Sequence, residues 1–349
     1  MSLLDESRRS QSISSEKGGA GTETLPLGVT TLTEAANRET LAGLRVTEVG
    51  SAKSRLGDLW LALVYMAPSL LIFFLFSFYP FIRSIWLSFN ITDQFGETVR
   101  FNDVKYYSRI LNLDGSGRDD YLRSILTTVE YTLMVVPLGI IAALALAMLA
   151  TARVKGIGFF RTVFTSSVAI SVSSAGVIWA LIYSPSIKAT QWLIDLLKVK
   201  EPSLLLDSST ALPAVAFMTV WTMLGFNFII TLSGIQAIPN DLYESSKIDG
   251  ANGWNAFRYI TIPLLTPTLL FLLIYTTIQC FQAFTQFYVL IGNEGPNNST
   301  NVLVFSLFKE FWLNTRYGFA SALSVVLFVI LLVLTFVQFR LLDRRVHYQ

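Results

Sequence analysis

Six stretches of this chain contain no charged residue and are long enough to cross a bilayer: 59–82, 131–152, 162–187, 208–240, 259–293 and 317–339. A helix needs roughly 20 apolar residues to span the hydrocarbon core. Backbone polar groups there must pair within their own segment, so the runs are predicted to be helices. The pattern therefore predicts an all-α membrane protein with six transmembrane helices and both termini on one side. Residues 1–50 are rich in Ser, Thr, Gly, Glu and Arg and show no apolar periodicity, which predicts a disordered cytoplasmic tail. No apolar core follows the first basic residues, so no secretory leader is expected. The remaining organisation is a first span with a polar segment (51–123), a core of five spans (124–342) and a short cytoplasmic tail (343–349).

The most polar passage of the second half, 239–265, lies between two of these spans. Asp241 is placed to N-cap a short helix, with Glu244 three residues on able to reach back to the free N–H groups. Gly250 supplies the stop, because a residue without Cβ takes the left-handed conformation at a helix end at no steric cost. Asn252 can cap a second helix over 253–259, and Pro263 forbids continuing it in the same hydrogen-bond register. The expectation is helix, turn, helix, then a new span.

These residues carry a resemblance. Glu244-Ser245-Ser246, three residues, Gly250, nine residues, Ile260, one residue and Ile262-Pro263 resemble the EAA loop of ABC importer permeases. Tyr243, Asp249, Ala251, Trp254, Phe257 and Thr261 resemble the carbohydrate-uptake branch, the maltose and glycerol-3-phosphate type. Ser245 and Ser246 stand where the family has alanines and Ile262 where it has leucine, so small residues stay small. The opening helix, with Ala67-Pro68-Ser69 and Tyr79-Pro80 followed by Leu87-Ser88-Phe89, is similar to the first of the two permease types.

The resemblance implies the type I ABC importer transmembrane fold, working by alternating access. It makes 239–265 the cytoplasmic coupling element that sits in a cleft of an ATPase subunit, with Tyr243, Glu244, Ser245, Ser246, Asp249, Gly250, Ala251 and Pro263 as its ATPase-coupling residues. It further implies a second permease subunit, two ATPase subunits, an extracytoplasmic substrate-binding protein and residence in a bacterial-type inner membrane. ATP and Mg would be bound by the ATPase subunits, and no cofactor by this chain.

Composition narrows the chemistry. The 349 residues are 52% hydrophobic and 14% charged, well below the charged share of about 25% in soluble proteins, and the net charge of +2 gives no argument for nucleic-acid binding, so no nucleic-acid partner is expected. The single cysteine, Cys280, lies in an apolar run, and the single histidine, His347, lies two residues from the C-terminus. Neither belongs to a metal or nucleophile cluster, and no glycine-rich phosphate loop is present, so a catalytic role is not expected. Arg153, Lys155 and Arg161, with Arg340, Arg344 and Arg345, favour a cytoplasmic side for their segments, while Lys188, Lys198 and Lys200 fall on the other side. Orientation therefore rests on the resemblance.

Within the fifth run, Tyr275, Gln279, Gln282 and Gln286 recur at steps of four, three and four, which predicts one helical face. An unpartnered amide in hydrocarbon is costly, so this face should meet protein or a water-filled path. Amides and aromatic rings suit a sugar, and they equally suit hydrogen bonding between helices. Asn227, with Thr231 one turn on, is a further candidate for the substrate path. The expected function is uptake of a sugar or oligosaccharide. The rivals are a polyol or glycerol 3-phosphate importer and an ATP-independent secondary carrier.

Overall fold

The computed structural model describes residues 52–113, 121–151, 156–199 and 201–343; the expected disordered tail and the last six residues lie outside them. The chain divides after Phe73. In the first unit the described residues form one helix, α1 (Ala52–Phe73), which carries Pro68 in its interior.

The second unit opens with a π turn, Phe74–Phe78, and α2 (Tyr79–Leu87). The polar segment that follows folds into an antiparallel hairpin of β1 (Asn90–Thr92) and β2 (Thr98–Phe101), then a short helix α3 (Lys105–Ile110). Asp93 shapes the hairpin turn by accepting bonds from the backbone N–H groups of Phe95 and Glu97 through Oδ1, at 2.9 and 2.8 Å. Then come α4 (Tyr121–Ala150), α5 (Ile157–Thr165), α6 (Val172–Ile182), α7 (Lys188–Leu197) and α8 (Ala211–Gln236). The chain ends with α9 (Asn240–Ile248), α10 (Gly253–Ala256), α11 (Ile262–Phe281), α12 (Thr285–Leu290), α13 (Leu303–Phe308) and α14 (Tyr317–Asp343).

Among the described residues, five helical stretches are long and apolar enough to cross a membrane: Trp60–Leu87, Tyr121–Ala150, Ala211–Gln236, Gly253–Phe281 and Tyr317–Leu341. The third expected span is not one straight helix. Ile157–Ala169 and Val172–Ile182 meet at 105°. The cause is local: the first half tightens into a 3₁₀ turn over Ser166–Ala169, Ile170 is extended, and the Ser171 hydroxyl caps a fresh helix by accepting from the Ser174 N–H at 3.1 Å. Hydroxyls that satisfy backbone groups locally let a helix stop within an apolar run. The second span begins at Tyr121 rather than Tyr131, so Arg123 and Glu130 ride on its first turns.

α4 packs most extensively on α8. Its buried Ala143, Ala147 and Ala150 are small enough to bring the two backbones close, and in lipid such close packing is what holds helices together. Around this pair one apolar cluster gathers Tyr131, Val135, Met218 and Phe287, and a second, nearer the polar loop, gathers Ala147, Phe228, Ile235 and Leu265. At the opposite end Ile110, Leu303, Phe319 and Leu323 seat α3 and α13 against α14. The buried carboxylate of Glu310 tightens that end by accepting from the Tyr121 hydroxyl at 2.7 Å and the Asn314 amide at 2.8 Å, with Arg316 at 3.5 Å.

Candidate functional site

The loop between α8 and α11 is built as two faces of one short helix. Residues of α9 at positions 240–248 split by helical spacing: Tyr243 and Ser246 are half-buried, whereas Asp241, Glu244, Ser245 and Ile248 point outward together. Tyr243 anchors the inner face, its hydroxyl 3.0 Å from Thr261 Oγ1. The serine hydroxyls turn back on their own helix, Ser245 donating to the Asp241 carbonyl and Ser246 to the Tyr243 carbonyl, each at 2.9 Å. They thus present small surfaces without free donors. Glu244 makes no hydrogen bond or ion pair among the described residues.

The expected cap does not form. α9 starts at Asn240, with extended Pro239 at its N-cap and no side-chain cap bond, so Asp241 sits inside the first turn. There its charge still complements the positive helix end. Glu244 consequently has no capping role and stays free on the outer face. The stop is as expected: Gly250 has φ +78, and the Ala251 N–H reaches the Ser246 carbonyl at 2.9 Å, closing the helix end. Asn252 caps α10, accepting from the Asn255 N–H at 2.9 Å.

The second helix does not end before the span. The backbone widens into a π turn over Phe257–Thr261, where the Ile262 N–H bonds to the Phe257 carbonyl, and α11 continues with Pro263 in its first turn. Widening by one residue shifts the register so that the missing proline N–H falls where a helix start needs none.

Beneath the loop, a cavity of about 370 Å³ is lined by Thr151, Arg161, Gln236, Asn240, Tyr243 and Thr261 among others. Arg161 clasps the end of α4 by donating from Nε and Nη2 to the Ala150 carbonyl, at 3.1 and 2.7 Å. Residues of α4, α5, α8 and α9 thus line one cavity.

The four polar residues of the fifth run do not share one face. α11 stops at Phe281, Phe284 leaves helical conformation at φ −132, and α12 resumes at Thr285. Gln286 is therefore on a separate helix, buried, and donates to the Tyr131 hydroxyl at 3.1 Å; Tyr131 donates to Thr219 Oγ1 at 2.8 Å. Gln279 donates to its own neighbour, the Tyr275 hydroxyl, at 2.8 Å. Gln282, exposed, lines an open groove between α11 and α14 with Ile278, Phe328, Leu332 and Phe336. Asn227 is buried on α8 facing Gly139, with neither amide atom hydrogen-bonded. The physical reason for the split is the helix break, which a periodicity count over 259–293 cannot register.

Tyr131 and Thr219 enter the network without having been singled out, although a tyrosine and a threonine inside charge-free runs were the visible signal. Replacing Gln286 by leucine is expected to lower stability by about 1 kcal/mol, the usual scale for a side-chain hydrogen bond between helices in lipid. Thermal unfolding of the purified protein in detergent checks this.

A multi-pass helical membrane protein with a polar two-helix loop between apolar spans, and with substantial buried polar side chains, has the form of a transport permease. The model of the family "Binding-protein-dependent transport system inner membrane component" matches residues 115–348, and the chain belongs to that family. It is 32% identical over 286 residues to the sn-glycerol-3-phosphate transport system permease protein UgpA of Brucella abortus biovar 1 (strain 9-941), covering 81% of this chain and 94% of the relative. It is 30% identical over 290 residues to the trehalose/maltose transport system permease protein MalF of Thermococcus litoralis, covering 83% of this chain and 96% of the relative. The fold is also that of a chain in the crystal structure of a bacterial ABC transporter that imports the acidic polysaccharide alginate, at TM-score 0.66, 20% identity, and 83% and 98% coverage. The chain is thus a non-catalytic, membrane-spanning permease subunit of an ABC importer in the inner membrane, rather than an ATP-independent carrier.

Proposed function

We propose that this permease imports a sugar or oligosaccharide delivered by an extracytoplasmic binding protein, paired with a second permease and driven by two ATPase subunits. The observation that carries the reading is the outer face of α9. Asp241, Glu244, Ser245 and an 87% exposed Ile248 form a mixed polar and apolar outward surface, on a helix whose inner face is tied to the spans by Tyr243. Such a surface suits a cleft in another protein. In this reading Tyr243, Glu244, Ser245, Ser246, Asp249, Gly250, Ala251 and Pro263 are the coupling elements, and ATP with Mg is bound by the ATPase subunits. Closure of the ATPases moves α9, and the spans open toward the loaded binding protein. Both termini lie on the ATPase side.

A saccharide substrate is supported by the name of one relative, a trehalose/maltose transport permease. The path candidates Asn227, Tyr275, Gln279 and Gln282 are uncharged, which fits neutral hydroxyl-bearing solutes; Gln286 belongs to the Tyr131 network in this state. A second reading, glycerol 3-phosphate, is favoured by the name of another relative. A phosphorylated solute calls for a cation along the path, and the candidate residues supply none.

The importer, purified with whatever subunits accompany it, decides between them. The expected result is co-recovery of an ATPase and a second permease, with ATP hydrolysis stimulated by a saccharide-loaded binding protein and Gln282→Ala altering the saccharide preference. Stimulation by glycerol 3-phosphate alone would establish the second reading, and reproducible recovery of the folded chain without an ATPase would remove the coupling assignment.

A further inference from the structure

Immediately after α9 the chain exposes a cluster of aromatic and basic side chains. Trp254 and Tyr259 are 66% and 71% exposed, and with Phe257, Arg258 and Ile262 they line an open cavity of about 300 Å³. Arg258 is exposed and makes no hydrogen bond or ion pair among the described residues. Trp254 rests on Phe257 with ring centroids 5.5 Å apart, which holds the indole at the rim. These residues lie on α10, the π turn and the first position of α11, at the very start of the apolar stretch Gly253–Phe281.

We propose that Arg258, Trp254 and Tyr259 form a binding site for the phosphate headgroup of an anionic phospholipid. A guanidinium offers a planar fork that matches two phosphate oxygens, and it is more weakly hydrated than an ammonium, so it gives up water readily at an interface. Tryptophan and tyrosine sit with their polar tips among headgroups and their rings toward the acyl chains, which is where the beginning of a membrane span places them. Ile262 continues the cavity wall into the apolar span, so a ligand with both an anionic head and an apolar tail covers the whole surface. A free oxyanion would contact the guanidinium and leave the rings bare.

A headgroup held here would bridge the π turn, whose Ile262 N–H to Phe257 carbonyl bond links α10 to α11. Lipid composition would then set the stiffness of the link between α9 and its span. That consequence rests on the coupling role proposed above; the lipid site itself does not.

The test uses the importer purified with its partner subunits and placed in nanodiscs of phosphatidylcholine, alone or mixed with phosphatidylglycerol, with retained lipid identified by native mass spectrometry. The wild-type complex is expected to retain phosphatidylglycerol preferentially. Arg258→Gln should reduce that retention about fivefold, the change expected when one basic group is lost at a membrane surface. Arg258→Lys, which keeps the charge but loses the planar fork, should retain an intermediate amount. Millimolar inorganic phosphate should not displace the lipid. Unchanged retention in Arg258→Gln overturns the site, and displacement by inorganic phosphate replaces it with a free-anion site. Loss of the ATPase subunit from Arg258→Gln with lipid retention intact reassigns the arginine to a protein contact. Should Arg258→Gln fail to assemble, Trp254→Leu carries the test: lowered phosphatidylglycerol retention supports the site, and wild-type retention overturns it.

Discussion

Glu244→Lys is expected to leave the protein folded in the membrane and to abolish uptake. The carboxylate is exposed and makes no hydrogen bond or ion pair among the described residues, so reversing its charge should alter stability by no more than about 0.5 kcal/mol, as for most surface substitutions. The same change at a protein interface removes one partner of a charge pair and introduces a like charge, which typically costs about 2–5 kcal/mol of binding. That is roughly a 30-fold to several-thousand-fold loss of ATPase affinity. Two measurements separate the effects: thermal unfolding of the variant permease, expected unchanged, and the amount of ATPase recovered with it, expected to collapse together with transport. Glu244→Gln should fall between. Normal uptake by Glu244→Lys would mean that α9 does not transmit ATPase closure.

Gly225→Val should do the reverse, damaging the fold itself. Gly225 lies in the middle of α8 where the broken third span crosses it. A Cβ there would come within 2.3 Å of Ser167 Oγ, 2.9 Å of the Phe164 carbonyl and 2.9 Å of Val168 Cγ2. The serine can rotate away, but the carbonyl belongs to the last turn of α5, just before the break, and cannot retreat without moving that helix. Overpacking of this kind costs about 1–3 kcal/mol for added methyl-sized groups and more where backbone must shift. The expected outcome is a marked drop in melting temperature and little assembled protein in membranes, with Gly225→Ala milder. Gly158→Ala serves as the control, because a Cβ at Gly158 meets nothing within 4 Å. Equal stability of Gly225→Val and wild type would show that the two halves of the broken span do not press on α8 as described.

Much of the fold was legible because the signals involved are local. A run of uncharged residues must be helical in lipid wherever it lies, and this accounts for the spans containing Tyr121–Ala150, Ala211–Gln236 and Tyr317–Leu341. Gly250 and Asn252 were readable for the same reason: a left-handed stop and an Asn cap each depend on a few neighbouring residues. The misjudged details depended on competition between near-equal local solutions. Asp241 and Pro239 both offer a helix start, and the extended proline prevails, leaving Asp241 within the first turn. Pro263 was expected to forbid the same hydrogen-bond register, and a π turn makes that shift without a break in the helix.

The candidate path shows the limit most sharply. Tyr275, Gln279, Gln282 and Gln286 have helical spacing, yet Gln286 finds Tyr131 and Thr219 across the bundle while Gln282 faces an open groove. Hydrogen bonds made across 155 positions of chain, as between Gln286 and Tyr131, leave no periodicity to read.

What the sequence determined by itself is the class of the protein: charge-free runs of bilayer length, and one polar passage whose spacing from Glu244 to Pro263 matches a family of importer permeases. What only the tertiary structure decided is which side of each element faces its neighbours. Ile248 and Trp254 are ordinary apolar residues until the packing of Tyr243 on Thr261 and of Phe257 into the turn leaves them outside. Exposure is a property of the assembled bundle, because burying an apolar side chain requires a partner surface brought up from elsewhere in the chain.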